Sequence, residues 1–172
     1  PSQDLWNRIS EQGLSVKYII NTHGHADHIG GNAFFHQKAQ APLCIHEDDA
    51  DMLINSKLNL SAFLDMEVTQ PFAQKLLQDN ETLTLGKKTL QIIHTPGHTK
   101  GSICIYTEEL LFSGDTLFQL DVGRTDLPGG NFESLITSIR TRLFPLPDNV
   151  IVLPGHGPAS TLGNEKKNNP YL

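Results

Sequence analysis

The stretch Val16-Lys17-Tyr18-Ile19-Ile20-Asn21-Thr22-His23-Gly24-His25-Ala26-Asp27-His28 decides the reading of this chain. Its first five residues are a short β-branched and aromatic run, which predicts a buried strand over residues 16–20. The strand runs straight into His23-x-His25-x-Asp27-His28, four metal-capable side chains within six residues. Imidazole and carboxylate are good ligands for zinc and similar ions. Spaced along a helix, these four side chains would point in several directions. On a loop at a strand end they converge, and the small Gly24 and Ala26 allow the tight backbone path this needs.

The arrangement of a histidine or aspartate just after an apolar run recurs three times. His98 lies in Thr95-Pro96-Gly97-His98-Thr99-Lys100-Gly101-Ser102, Asp115 in Phe112-Ser113-Gly114-Asp115-Thr116, and His156 in Leu153-Pro154-Gly155-His156-Gly157. Each alone is a weak signal. Together with the first motif they supply seven ligands, His23, His25, Asp27, His28, His98, Asp115 and His156, from four strand-end loops. Seven is too many for one tetrahedral ion and suits two ions sharing a carboxylate. Such a pair lowers the pKa of a bridging water and clamps the attacking and departing oxygens, which is hydrolytic chemistry.

Around these loops the chain alternates strands and helices. Helices are predicted over residues 2–12, 29–38 and 132–144. Strands are predicted over 42–45, 82–85, 89–93, 101–106, 110–112 and 150–153. Residues 48–53 and 57–66 read as helical pieces of a surface insertion. The expected architecture is α/β, in a single domain over residues 1–172. Thirteen Lys and Arg against 19 Asp and Glu give a net charge of −6, which argues against a nucleic-acid binder working through a general basic field. No run approaches the ~20 apolar residues of a membrane span, and no secretory signal precedes the first helix. Cys44 and Cys104 sit in short apolar runs and read as buried free thiols, which fits a reducing cytoplasm.

Residues 22–31, 95–102, 114–118, 123–130, 154–158 and 169–172 resemble the metallo-β-lactamase superfamily, and within it the small glyoxalase II-like (hydroxyacylglutathione hydrolase-like) metallohydrolases. The resemblance spans nearly the whole chain and implies an αβ/βα sandwich. By position it implies His23, His25 and His98 around a first divalent ion. Asp27, His28 and His156 would surround a second, with Asp115 bridging. A bridging hydroxide would then attack a thioester or ester carbonyl, with the ions stabilising the oxyanion. Asp27 has a secondary role, orienting the hydroxide or relaying a proton. Zinc is the first expectation for the metal, and the same ligands accept iron or manganese.

In glyoxalase II enzymes a lysine stands at the position matched by Arg124, where it helps bind glutathione. Arg124 is therefore expected either to hold a substrate carboxylate or thioester group, or to pair with Asp126 and pin its loop. The family's glutathione-contacting tyrosines are matched by Asp126 and Pro158, and a basic C-terminal extension is absent from this sequence. These departures weigh against glutathione thioesters. The superfamily's first strands precede the first histidine motif by many residues, whereas 22 precede His23 here and the sequence starts at Pro1. Strands and a supporting aspartate are expected upstream of it.

Two other readings share the fold. One is a persulfide dioxygenase with a single iron on His23, His98 and Asp115; a complete second ligand set argues against it. The other is a non-catalytic or truncated scaffold. Outside the ligand set, His94 is expected to pack or hydrogen-bond locally, His36 to lie near a helix surface, and His46 to cap a helix or be exposed.

Overall fold

The computed structural model describes residues 2–63 and 67–172. Period-two alternation sends the apolar side chains of each strand to opposite faces, and these faces assemble four layers. A parallel three-stranded sheet holds β1 (Ile19–Ile20), β2 (Leu43–His46) and β3 (Lys75–Leu77), with β2 in the middle. Leu43 and Ile45 of β2 face outward and pack with Ile29 and Leu53, while Cys44 faces inward beside Leu77. Ile29 ends α2 (Ala26–Ile29), which follows α1 (Ser2–Glu11) and precedes α3 (Asn32–Ala39).

The second sheet contains β4 (Thr82–Leu85), β5 (Lys88–His94), β6 (Ile103–Thr107), β7 (Leu110–Gly114), β10 (Ile151–Pro154) and β11 (Ser160–Thr161), in the order β11-β10-β7-β6-β5-β4. Leu90, Ile92, Ile103 and Ile105 pack against Cys44 and Leu77 of the first sheet. Ile93, Cys104, Leu111 and Val152 face the other way, onto Leu135 of α4 (Phe132–Ser138) and Ile139 and Leu143 of the π-helical turn that continues it. Those three helical side chains are fully buried. Truncating any one to alanine is expected to cost about 2–5 kcal/mol. The result is helix, sheet, sheet, helix, the αβ/βα sandwich. Where the smaller sheet ends, Phe112 and Ile151 of the inter-sheet face remain 39% and 40% exposed.

Strand direction places the ligand loops. β5 and β6 pair antiparallel, as do β6 and β7, and β7 pairs parallel with β10. β5, β7 and β10 therefore run the same way, and the loops that follow them leave from one edge of the sheet. Those loops carry His98, Asp115 and His156.

Several expectations need correction. The strand expected over residues 16–20 is ordered as a strand at Ile19 and Ile20 alone, because β2 offers only Leu43 and Cys44 as partners. The helix expected over 29–38 is two helices broken at Gly30-Gly31, and the first starts at Ala26, so Asp27 and His28 lie on a helical turn rather than a loop. The expected helix 132–144 turns π-helical after Ser138. β3, β11, the ribbon of β8 (Leu117–Phe118) with β9 (Asp121–Val122), and α5 (Leu162–Asn168) were not expected. The expected surface insertion is part of the body. A 3-10 helix over Glu47–Leu53 buries Asp49, Met52 and Leu53. Asn59 is fully buried, accepting at its carbonyl the Ala26 N–H (3.0 Å) that opens α2. The expected helix 57–66 is represented by a short 3-10 turn, Ser61–Phe63, and its residues 64–66 lie outside the described residues. Cys44 and Cys104 are free and buried, and burial pushes each thiol up to about 11. Among the described residues no helix is long and apolar enough to cross a membrane.

Candidate metal centre

β1 delivers the first motif, and Asn21 shapes it. The Asn21 backbone N–H donates to the Cys44 carbonyl (2.9 Å), which ends the strand in register, and its side-chain amide donates to the His28 carbonyl (3.2 Å). The chain turns back on itself and brings His23, His25 and His28 to one side. His25 Nδ1 lies 3.0 Å from His98 Nε2, and the His23 ring stands edge-on to both. The ligand atoms of this trio fall within 4.8 Å of one another, and all three residues are buried.

The donor set fits a cation. His98 Nδ1 lies 2.7 Å from the Arg124 carbonyl. A carbonyl only accepts, so Nδ1 carries the proton and Nε2 turns its lone pair toward His25. His23 Nε2 is buried without a hydrogen-bond partner. Burial, followed by the neighbouring histidines, holds His23 well below the usual imidazole value. Burial first and His98 second lower His25 to about 4. Neutral imidazoles whose lone pairs converge in a dry site are costly with nothing between them and well suited to a divalent ion.

The second trio is more open. Asp27 Oδ2 lies 3.0 Å from His156 Nε2, which is 3.2 Å from His28 Nε2. The side chains of Asp27 and His156 are 57% and 59% exposed, against 14% for His28. Asp115 stands between the two trios. Its Oδ1 is 3.3 Å from His28 Nε2, and its Oδ2 is 3.7 Å from His98 Nε2 and 3.8 Å from His156 Nε2. Burial opposes charge on both His28 and Asp115. Their mutual hydrogen bond and attraction outweigh it, raising the His28 pKa and lowering that of Asp115. Gly155 makes this closeness possible: a Cβ there would lie 2.3 Å from Asp115 Oδ1 and 2.6 Å from His28 Cε1. All seven expected ligands are thus brought together: the trios His23-His25-His98 and Asp27-His28-His156 are joined by a third group, His23-His28-Asp115, and the whole fits a dinuclear site.

The clusters open into a cleft of about 720 Å³, walled also by Leu60, Phe63, Leu127, Pro128 and Arg124. Arg124 holds Asp126 through two hydrogen bonds, Nε to Oδ1 at 2.8 Å and Nη2 to Oδ2 at 2.7 Å. The pinning pair is present, then, at the mouth of the cleft. Two of the five guanidinium donors are used, which leaves others for a ligand.

The remaining histidines lie elsewhere. His46 accepts the Asp48 N–H (3.3 Å) as the cap of the 3-10 helix and is buried rather than exposed. It stacks on His94 with ring centroids 4.0 Å apart and planes 11° from parallel. With Asp48 these two form a further cluster of potential ligands. Stacked parallel rings direct their lone pairs side by side rather than at one point, so packing accounts for the pair. His94 also bonds the Lys100 carbonyl (2.8 Å), and His36, half-buried on α3, bonds that of Ala41 (2.9 Å). Sequence reasoning missed Asp49, which reaches the histidine loops from behind. Its signal was faint: in Glu47-Asp48-Asp49-Ala50-Asp51-Met52-Leu53 it stands three and four residues before Met52 and Leu53, the spacing of a shared helical face.

Comparisons with known proteins agree with this geometry. The chain is 41% identical over 167 residues to a probable metallo-hydrolase, YqgX, of Bacillus subtilis, covering 95% of this chain and 79% of that protein. It is 37% identical over 175 residues to the hydroxyacylglutathione hydrolase GloC of Haemophilus influenzae, covering 99% and 82%. Among solved structures, the BLEG-1 B3 metallo-beta-lactamase superposes with a TM-score of 0.94 at 38% identity, over 99% of this chain and 83% of that one. TTHA1623 in a di-iron-bound form superposes at 0.87 and 34% identity, over 100% and 85%. The family model for the metallo-beta-lactamase superfamily matches residues 2–156. Fold, ligand clusters and sequence agree, and the chain belongs to the metallo-beta-lactamase superfamily.

Proposed function

We propose that this chain is a two-ion hydrolase of a small-molecule thioester or ester, glyoxalase II-like in its chemistry. The observation that carries the reading is the meeting of two ligand trios at one carboxylate, Asp115. In this reading His23, His25 and His98 hold one divalent ion, and Asp27, His28 and His156 hold the other. Zinc is the first choice. The di-iron form of TTHA1623 makes iron the next metal to test, with manganese after it. When bound, the ions supply a nucleophilic hydroxide and polarise the substrate carbonyl.

The chain's own residues do the rest. Asp115 fixes the relation of the two trios and holds negative charge against His28. Asp27, exposed at the cleft with Oδ2 3.0 Å from His156 Nε2, is placed to orient a water and to take its proton. Leu60, Phe63, Leu127 and Pro128 offer apolar surface to the substrate and exclude water beside the carbonyl. Arg124 orients a substrate carboxylate or the thioester carbonyl with its remaining donors. The excess of acidic residues supports a small-molecule substrate over nucleic acid.

Metal content per chain, measured on protein purified without chelator, tests this directly, together with a panel of thioesters, esters and a β-lactam. About two ions and thioester or ester turnover are expected. One iron per chain with oxygen uptake would replace the reading with the persulfide dioxygenase. No bound metal and no turnover would replace it with a scaffold.

A further inference from the structure

The two trios differ in what stands behind them. Behind His23, His25 and His98 lies Asp49, 1% exposed, on the 3-10 helix Glu47–Leu53. Its Oδ2 accepts the Gly24 N–H (3.0 Å) and the Thr99 hydroxyl (2.7 Å), and its Oδ1 accepts the Gly101 N–H (2.7 Å). Gly24 is the residue between His23 and His25, and Thr99 follows His98. One carboxylate therefore ties the loop after β1 to the loop after β5, and these two loops carry all three histidines of the buried trio. None of its three partners is adjacent in sequence to Asp27, His28 or His156. Among the described residues no lysine, arginine or histidine forms an ion pair with Asp49; its neutral donors satisfy it, as a buried carboxylate requires. The approach is close: a Cβ on Gly101 would lie 2.6 Å from the Asp49 backbone nitrogen.

We propose that Asp49 is a positioning residue for the three-histidine trio alone, setting the distance between its two loops and so the affinity of one metal subsite and not the other. The inference rests on the two-ion reading above. Wild-type metal content tests that reading; the comparison below tests this one. Asn is the informative replacement, since its amide keeps the shape but turns a donor toward donors whichever way it is placed.

The experiment measures Zn²⁺ affinity by competition with a chromophoric chelator in two backgrounds. In His156→Ala the buried trio is the intact subsite, and in His98→Ala the open trio is. Asp49→Asn is expected to weaken binding about 10–100-fold in the first background, the range for outer partners of metal ligands. In the second it should stay within about two-fold, inside ordinary context variation. Thr99→Val removes one of the three donors while keeping both backbone N–H groups, and serves if Asp49→Asn does not fold. It should weaken the buried trio about ten-fold, the lower end for one hydrogen bond to a charged group. Asp48→Asn, on the same turn, should change neither background. Equal weakening in both backgrounds, or weakening in neither, overturns the proposal. So does a loss that follows a lowered melting temperature of the metal-free protein in both backgrounds.

Discussion

The buried trio and the open trio use the same kinds of ligand under different conditions. His23, His25 and His98 are 1%, 6% and 2% exposed, and their rings are held by the protein before any ion arrives. His98 is fixed at Nδ1 by the Arg124 carbonyl, and Asp49 ties its loop to that of His23 and His25. Asp27 and His156 are more than half exposed at their side chains, and their contacts run mainly to each other, to His28 and to Asp115. A preorganised dry site spends less on ordering its ligands when it binds. An exposed one lets water and substrate reach the ion. On the two-ion reading proposed above, the difference separates holding from reacting, with the inner trio serving affinity and the outer one access.

The largest expected effect comes from removing what the trios share. Asp115→Asn should lower kcat/KM by at least about 10³-fold, beyond the 10–100-fold typical of outer partners of metal ligands. It should also leave fewer than two ions per chain in elemental analysis. Activity within ten-fold of wild type would break the two-trio account. Next in size, His156→Ala should lose the outer ion and keep the inner one, with kcat reduced about 10²-fold. His98→Ala should cost more, because it removes a ligand whose ring the Arg124 carbonyl already holds in place, which a water entering from the cleft would not replace. If the two variants lose metal and rate equally, the division of labour between trios fails.

Acid should separate the trios as well. Metal ligands must be deprotonated. His28 has its pKa raised, against the pull of burial, by Asp115 and Asp27, whereas burial and His98 lower His25 to about 4. As pH falls, protons therefore compete first for His28 of the outer trio. Dialysis at stepped pH is expected to take the chain from two ions to one before the inner trio empties. Simultaneous loss would show that the trios bind as one unit. For the metal-free protein the sign reverses. The raised pKa of His28 contributes stability fully present below its unfolded value and lost as pH rises through the folded one.

The sequence made the outer shape of this centre legible because its signals are local. Four ligands crowd into residues 23–28, and three more follow apolar runs at His98, Asp115 and His156. β5, β6 and β7 were equally legible, being apolar runs bounded by turn residues. β3, β8, β9 and β11 have only two or three residues each, too short for any period to show, and they exist because a neighbouring strand offers backbone partners. α5 is largely polar, so it carries no amphipathic stripe to read. Asp49 stayed hidden for a different reason. Among Glu47, Asp48 and Asp51 a carboxylate reads as one more solvated acid, and only the folded chain reveals three donors converging on it. The start of α2 at Ala26 likewise depends on Asn59, thirty-three residues away.

The smallest expected effect lies at the rim, and it decides between the two roles of Arg124. The pair with Asp126 is exposed, its side chains at 62% and 66%, and Arg124 holds the Asp126 carboxyl down at about 2. Exposed pairs add little to folding, so Arg124→Ala and Asp126→Ala should leave the melting temperature unchanged. Their kinetics should differ. If Arg124 contacts substrate, Arg124→Ala raises KM about ten-fold with kcat little changed, the sign of lost uniform binding. Asp126→Ala then leaves KM unchanged or lowers it, because the guanidinium gains free donors. If the pair serves only to hold the loop, both variants shift KM alike. They would also loosen the His98 ring, whose Nδ1 bonds the Arg124 carbonyl, and the inner ion would then be released more readily to a chelator. A rim pair with that reach would tie the inner trio to the substrate loop, and the contrast between a holding site and a reacting site would become a coupling between them.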